Sequence, residues 1–241
     1  MYAAIVPTLQ RTTLLHKLLD DLAAHELVDE VLVVNNAPQS LEHGSVKIRV
    51  VAPGRNIYVN PAWNLGVSET TSRRLGIIND DVALPAGLLE SAAERLDKGA
   101  GIIGAHLSCF SREGVDPGTP VRFRPAWWRT RAFGTFMLMD RASWVPIPED
   151  LQIYFGDDFL FRRQTMTNFT FSGVRLGRHT GTTASSVEFR GFLERESALF
   201  EARYPEDPYT RRHRGRSLPA RWRRHARRTV GAAVRRRRVA R

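Results

Sequence analysis

The chain has 241 residues, 42% hydrophobic and 9% aromatic, which allows a substantial buried core and excludes disorder throughout. A single cysteine, Cys109, excludes an internal disulfide and a cysteine-based zinc cluster, and fits a reducing compartment. The net charge of +11 is uneven: residues 211–241 hold fourteen arginines and no acid, which leaves about −3 for residues 1–210, so the basicity belongs to a tail.

In chain order, "YAAIVPT" is a β-branched and apolar strand, and the leucines at 14, 15, 18, 19 and 22 form a helical stripe with Thr12 or Thr13 as N-cap. "VDEVLVVNNAP" is a continuous apolar strand ending in polar residues. Strand, helix and strand within this span make a βαβ unit, and continuous apolar runs suit a parallel sheet covered on both faces. The pattern repeats: "VKIRVVAP" is a third strand, "NPAWNLGVSETT" opens a helix, and "RLGIINDDVAL" is a fourth strand. "PAGLLESAAERLDKG" is a helix with Pro85 early and Gly99 at its end, and "AGIIGAHLSCF" is a fifth strand. In such doubly wound sheets ligands sit beyond the carboxyl ends of the strands. That rule selects Pro7-Thr8, Asn35-Asn36 and Asn79-Asp80-Asp81.

From 111 to 190 the elements shorten and Gly, Pro and aromatic residues become frequent, as in antiparallel strands and binding loops. "FGDDFLFRRQTM" predicts a helix beginning near its acids, where the helix dipole favours negative charge. The N-terminal "MYAAIVPTLQR" lacks a basic segment leading into a long apolar run, and no window approaches the ~18 apolar residues of a membrane span. The expectation is a soluble, cytoplasmic chain.

Two acidic pairs carry the chemistry. Asp80-Asp81 ends an apolar run, and Asp157-Asp158 lies in the aromatic setting "IYFGDDFLF". Either pair can be read as a helix cap. Adjacent carboxylates also repel unless they share a cation or a proton, which points to Mg²⁺ or Mn²⁺, or to a carboxylate with a raised pKa serving as base.

The ordered motifs "IVPTLQR", "VLVVNNA", "RNIYVNPAWNLGV", "IINDDV", "FGTFMLMDRASW", "YFGDDFLFRR" and "RHTGTT" resemble the family 2 glycosyltransferases over about residues 2–190. That resemblance implies an α/β GT-A (nucleotide-diphospho-sugar transferase) fold: a doubly wound mixed sheet, a smaller antiparallel acceptor-side part and a basic C-terminal extension. It implies inverting, metal-dependent transfer from a nucleotide-sugar, a UDP-sugar first among them, to a hydroxyl of a glycan, lipid-linked or protein acceptor. Pro7, Thr8 and Arg11 map onto the nucleotide-holding turn, and Asn35 stands where the family usually has an aspartate touching uracil or ribose. Asn56, Asn64 and Gly66 fall in the stretch linking nucleotide and sugar recognition, with capping and tight packing as the alternative for the last two. "NDD" falls on the Asp-x-Asp motif with Asn79 replacing its first acid, so Asp81 is implied to bind Mn²⁺ or Mg²⁺ and Asp80 to meet the donor's ribose or sugar. His179 is implied as a second metal or diphosphate ligand, with Arg178 beside it. Asp158 is implied as general base and Asp157 as its orienting neighbour, with Arg162 or Arg163 pairing the acids. Gly134 matches a glycine beside the sugar pocket, and Trp127 and Trp128 either stack on an acceptor sugar or pack a core or hinge.

The expected organisation is a GT-A domain over 1–208, with a nucleotide-binding half at 1–110 and an acceptor half at 111–208, followed by an Arg-rich tail at 209–241. The tail can be written as a basic amphipathic helix suited to an anionic membrane surface, which places the protein in the cytoplasm or peripherally on the inner membrane face, or as a solvated, disordered run. Nucleic acid satisfies the same charge but leaves the acid pairs unexplained. Two rivals stand beside the enzyme: a catalytically inactive relative that binds nucleotide or glycan, and a nucleotidyltransferase. The second normally shows a glycine in the phosphate loop, and "PTLQRTT" has none.

Overall fold

A computed structural model describes residues 1–110, 119–177 and 187–213. The first half alternates β1 (Tyr2–Thr8), α1 (Leu15–Ala24), β2 (Val28–Asn35), β3 (Ile48–Val51), α2 (Val59–Ser68), β4 (Arg74–Ile78), α3 (Leu88–Asp97) and β5 (Ile102–Ala105). The second half adds β6 (Arg122–Ala126), β7 (Phe136–Asp140), α4 (Gly156–Arg163), β8 (Asn168–Ser172), α5 (Val187–Arg203) and α6 (Pro208–His213).

All eight strands form one sheet in the order β3-β2-β1-β4-β7-β5-β8-β6. β1 pairs in parallel with β2 on one side and β4 on the other, with Val6 opposite Val33 and Ile5 opposite Ile77. β7 enters antiparallel between β4 and β5. β8 runs parallel to β5, and β6 closes the far edge antiparallel to β8. The two stretches separated at residue 110 in the sequence are therefore interleaved in a single mixed sheet, a pairing that hydrophobic periodicity does not reveal.

The continuous apolar runs of β1 and β4 follow from burial on both faces. Tyr2, Ala4 and Val6 point into a core with Leu15, Leu18, Leu19 and Leu22 of α1 and Leu88, Leu89 and Ala92 of α3. Ala3 and Ile5 point the other way, against Trp63 and Val67 of α2 and Phe159, Leu160 and Phe161 of α4. Each α1 leucine is at most 2% exposed, and burying such a side chain contributes about 1.5–3 kcal/mol relative to leaving it in water. α2 packs so closely on β1 that a Cβ at Gly66 would stand 2.3 Å from Ile5 Cγ2. Only a glycine permits that approach.

Neither Thr12 nor Thr13 is the N-cap of α1. Leu14 holds that position without a side-chain cap, and Thr12 Oγ1 accepts the Leu14 N–H in the preceding turn. Tyr209, in α6, packs into the core. Its fully buried hydroxyl donates to Ala126 O and accepts the Asn168 N–H. The rest of the tail, 214–241, lies outside the described residues. Among the described residues no helix is long and apolar enough to cross a membrane.

Candidate active site

The parallel strands β1, β2 and β4 end on one edge of the sheet, at the point where strand order reverses about β1. At that edge Thr8 Oγ1 donates to Asp80 Oδ2 at 2.6 Å and accepts the Gln10 N–H at 2.8 Å. Thr8 O accepts the Asn36 N–H, tying the ends of β1 and β2 together. Burial, with a further contribution from the adjacent Asp81 charge, pushes the Asp80 carboxyl up from 3.8 to about 6 against the opposing effect of the Thr8 hydrogen bond. Neither acid caps α3, whose N-cap is Gly87 without a side-chain bond. Pro7 is buried in β1, and Arg11 is exposed at the start of the following turn.

Asn35 is 2% exposed, and most of its amide is used locally. Its Oδ1 accepts from Gln10 Nε2 and from the Ala37 N–H, and its Nδ2 donates to Gln39 O. Asn56 shapes its own loop by accepting the Tyr58 N–H. Asn64 clamps a remote loop: its Nδ2 donates to Ile147 O at 2.7 Å and its Oδ1 accepts the Ile147 N–H at 2.9 Å.

The second acidic pair opens α4, where Asp157 and Asp158 occupy the first turn. They are not the helix cap, since Phe155 is the N-cap and makes no side-chain bond. Asp157 Oδ2 accepts the Gly134 N–H at 3.2 Å, and a Cβ on Gly134 would come within 2.8 Å of that oxygen. The glycine thus lets the short turn Phe133–Thr135 close on the carboxylate. In the same turn Thr135 O accepts the Asn79 N–H at 3.0 Å. The two acidic pairs, far apart in sequence, are joined through one turn: Asn79 to Thr135, and Gly134 to Asp157.

The cation serving the second pair is Arg129, and neither Arg162 nor Arg163 takes part. Arg129 Nη1 lies 3.3 Å from Asp157 Oδ2, and its Nε lies 2.7 Å from Asp158 Oδ2. The Nε contact is close but not aligned along the N–H, so it is an ion pair more than a directed hydrogen bond. Arg162 instead donates to Tyr204 O and lies over Phe200, while Arg163 lies over Phe159. Burial, helped by the Asp158 charge, raises the Asp157 pKa above the carboxylate range although Arg129 opposes it, and Asp157 in turn holds the Arg129 guanidinium more firmly protonated. Arg129 lies 28 residues before Asp157 in sequence, so no local spacing announces the pair. Trp128, its neighbour, is 37% exposed.

The far wall near Asp81 comes from the segment after β8. Ala83 N–H donates to Leu176 O, and a Cβ on Gly177 would lie 3.7 Å from Asp81 O. Arg178 and His179 come directly after it in sequence and lie outside the described residues, so the expected partner of Asp81 is not placed. Among the described residues no three His, Cys, Asp or Glu side chains gather as a metal-ligand set.

The family model for glycosyl transferase family 2 matches residues 3–166. The chain belongs to that family. Among curated proteins no relative matches it. Among solved structures, the family 2 chain is similar to S. aureus TarS 1-349 in complex with UDP-GlcNAc, with a TM-score of 0.60 and 14% identity over 82% of this chain and 65% of that one. A second TarS 1-349 structure gives 0.55 and 15% over 75% of this chain and 60% of that one. The UDP complex of TarS 1-349 gives 0.50 and 14% over 70% and 60%. At such identity the likeness is one of fold, and it is the GT-A arrangement expected from the motifs. The chain spans less than two thirds of the length of these TarS chains.

Two residues that sequence reading passes over are prominent here. Asn60 and Glu196 are both fully buried and both bond the backbone just before α4. Asn60 lies inside a recognised motif and could have been noticed there. Glu196 lies in a helix of ordinary composition, with nothing local to mark it.

Proposed function

We propose that the protein is a metal-dependent inverting glycosyltransferase that moves a sugar from a UDP-sugar to an acceptor hydroxyl, with Asp158 as general base. The observation that supports this reading is the linkage of the two acidic pairs through the Phe133–Thr135 turn, bonded to Asn79 on one side and to Asp157 on the other. UDP as the nucleotide is supported by the UDP and UDP-GlcNAc complexes among the fold neighbours.

In this reading Thr8 and Asp80 meet the donor at the end of β1, and the Asn35 loop flanks the base. Asp158 accepts the acceptor's proton as the hydroxyl oxygen bonds to the anomeric carbon. The bond from that carbon to the diphosphate oxygen breaks on the opposite face, and UDP departs with its electron pair. Asp157, bonded to the Gly134 N–H and paired with Arg129, orients the first turn of α4.

The strand end also fits a divalent cation, because burial and, after it, the charge of the neighbouring Asp81 raise the Asp80 pKa, and a cation would relieve the cost of both. Asp81 would hold it, with His179 as the second ligand, and it would supply stabilisation of the negative charge that develops on the departing diphosphate.

The test is a thermal-shift panel of UDP, GDP and dTDP sugars with and without Mn²⁺, followed by donor turnover in D158N. UDP-sugars with Mn²⁺ raise Tm by mass action, and D158N lowers turnover about 10²–10⁴-fold while UDP still binds. Unchanged turnover in D158N removes the base assignment. Binding without turnover in the unmutated chain favours the inactive relative.

A further inference from the structure

We propose that Glu196 and Asn60 are positioning residues that hold the backbone of 151–154 from opposite sides and so set where Asp158 stands. The proposal rests on Asp158 being the base.

The loop before α4 has its backbone groups taken up by these two residues. The Asn60 backbone N–H donates to Gln152 O at 3.0 Å, and its Nδ2 donates to Leu151 O at 3.2 Å and to Tyr154 O at 3.1 Å. From the other side, Glu196 Oε1 accepts the Gln152 N–H at 3.1 Å and the Ile153 N–H at 3.3 Å. Its Oε2 accepts the Ile153 N–H at 3.2 Å and the Tyr154 N–H at 2.7 Å. One residue collects the carbonyls and the other the N–H groups, and both are 0% exposed.

Glu196 has no ion-pair partner among the described residues, so its charge is compensated by backbone donors. A buried carboxylate without a cation is costly unless such donors surround it. Charge-assisted bonds of this kind depend strongly on geometry, and they fix the loop's path more firmly than apolar packing would.

The path matters because it leads without slack into the first turn of α4. Phe155 has φ of 62°, a left-handed conformation that a bulky residue holds only when its surroundings impose it. Its ring stacks on Phe200 of α5 at 5.0 Å and 19°. Gly156 then begins α4 against Asn60, where a Cβ would meet Asn60 Oδ1 at 2.2 Å. Asp157 and Asp158 come next. A shift of the 152–154 backbone is therefore carried within a few residues to the base. Displacement of a reacting group by about 1 Å can cost 10²-fold in rate.

Replacing Glu196 with glutamine keeps size and shape but turns an NH₂ toward an N–H donor, which forces the loop to move. The experiment compares the full unmutated chain, E196Q and D158N by hydrogen exchange of the peptide covering 151–158, and by turnover of the donor selected in the thermal-shift panel. E196Q is expected to speed exchange in that peptide at least tenfold, leave β1 and β4 protected, and lower kcat about 10–100-fold with donor KM within threefold. D158N is expected to lose turnover with exchange unchanged.

Unchanged exchange and kcat in E196Q overturns the proposal, and so does a rise in KM alone. If D158N turns over normally, the base assignment fails, while the exchange data still decide whether the clamp exists. If E196Q does not fold, N60A removes the opposite half of the clamp and is read the same way.

Discussion

Asp80→Asn should make the free protein more stable at neutral pH while impairing what the site does. Burial and Asp81 push the Asp80 carboxyl from 3.8 to about 6, so the folded chain holds this proton more tightly than the unfolded chain. Below about pH 3.8 both states are protonated and the group favours neither. Between about 3.8 and 6 the folded state keeps a proton that the unfolded state has lost, and stability falls as pH rises. Above about pH 6 both are ionised and the whole cost remains. The rise from 3.8 to about 6, at 1.36 kcal/mol per pKa unit, is ~3 kcal/mol as an upper limit. The amide introduced by the substitution would still accept the Thr8 hydroxyl proton and carries no charge. Urea unfolding of the chelator-treated protein should therefore show D80N about 1–3 kcal/mol more stable at pH 7.5, with the difference shrinking toward zero at pH 4. Comparing the two proteins at each pH cancels the titration of every other group. A difference independent of pH, or a less stable D80N at pH 7.5, would refute the electrostatic reasoning.

Two other outcomes are expected. R129M leaves Asp157 and Asp158 facing each other without their cation and should cost about 3–5 kcal/mol by urea unfolding, with R129M/D157N recovering part of the loss. N64A removes both bonds to Ile147 and should cost about 1–3 kcal/mol. Titration calorimetry should show its UDP affinity within threefold of the unmutated chain, whereas a loss of tenfold or more would give Asn64 a direct part in donor binding.

Much of the fold can be read locally because β1, β2 and β4 are buried on both faces and so spell continuous apolar runs, while α1 and α3 bury one face and spell a 3.6-residue period. The strand-end rule locates Thr8, Asn35 and Asp80 for the same reason: a parallel sheet must bring such ends to one edge. Asn64 shows where that reading thins. Its position in a recognised motif says nothing about which backbone its amide grips, and in the fold that backbone belongs to Ile147, 83 residues away.

The sequence by itself determined the alternation of strands and helices, the family, and the acids that end β4 and open α4, because each depends on neighbours a few residues apart. Only the tertiary structure decided that β7 slips between β4 and β5, that Arg129 faces Asp157 and Asp158, and that Glu196 and Asn60 share the backbone before α4. Those contacts join segments whose separation along the chain carries no periodic trace. What selects them is the requirement that buried charges and backbone dipoles find partners wherever the packed layers place them.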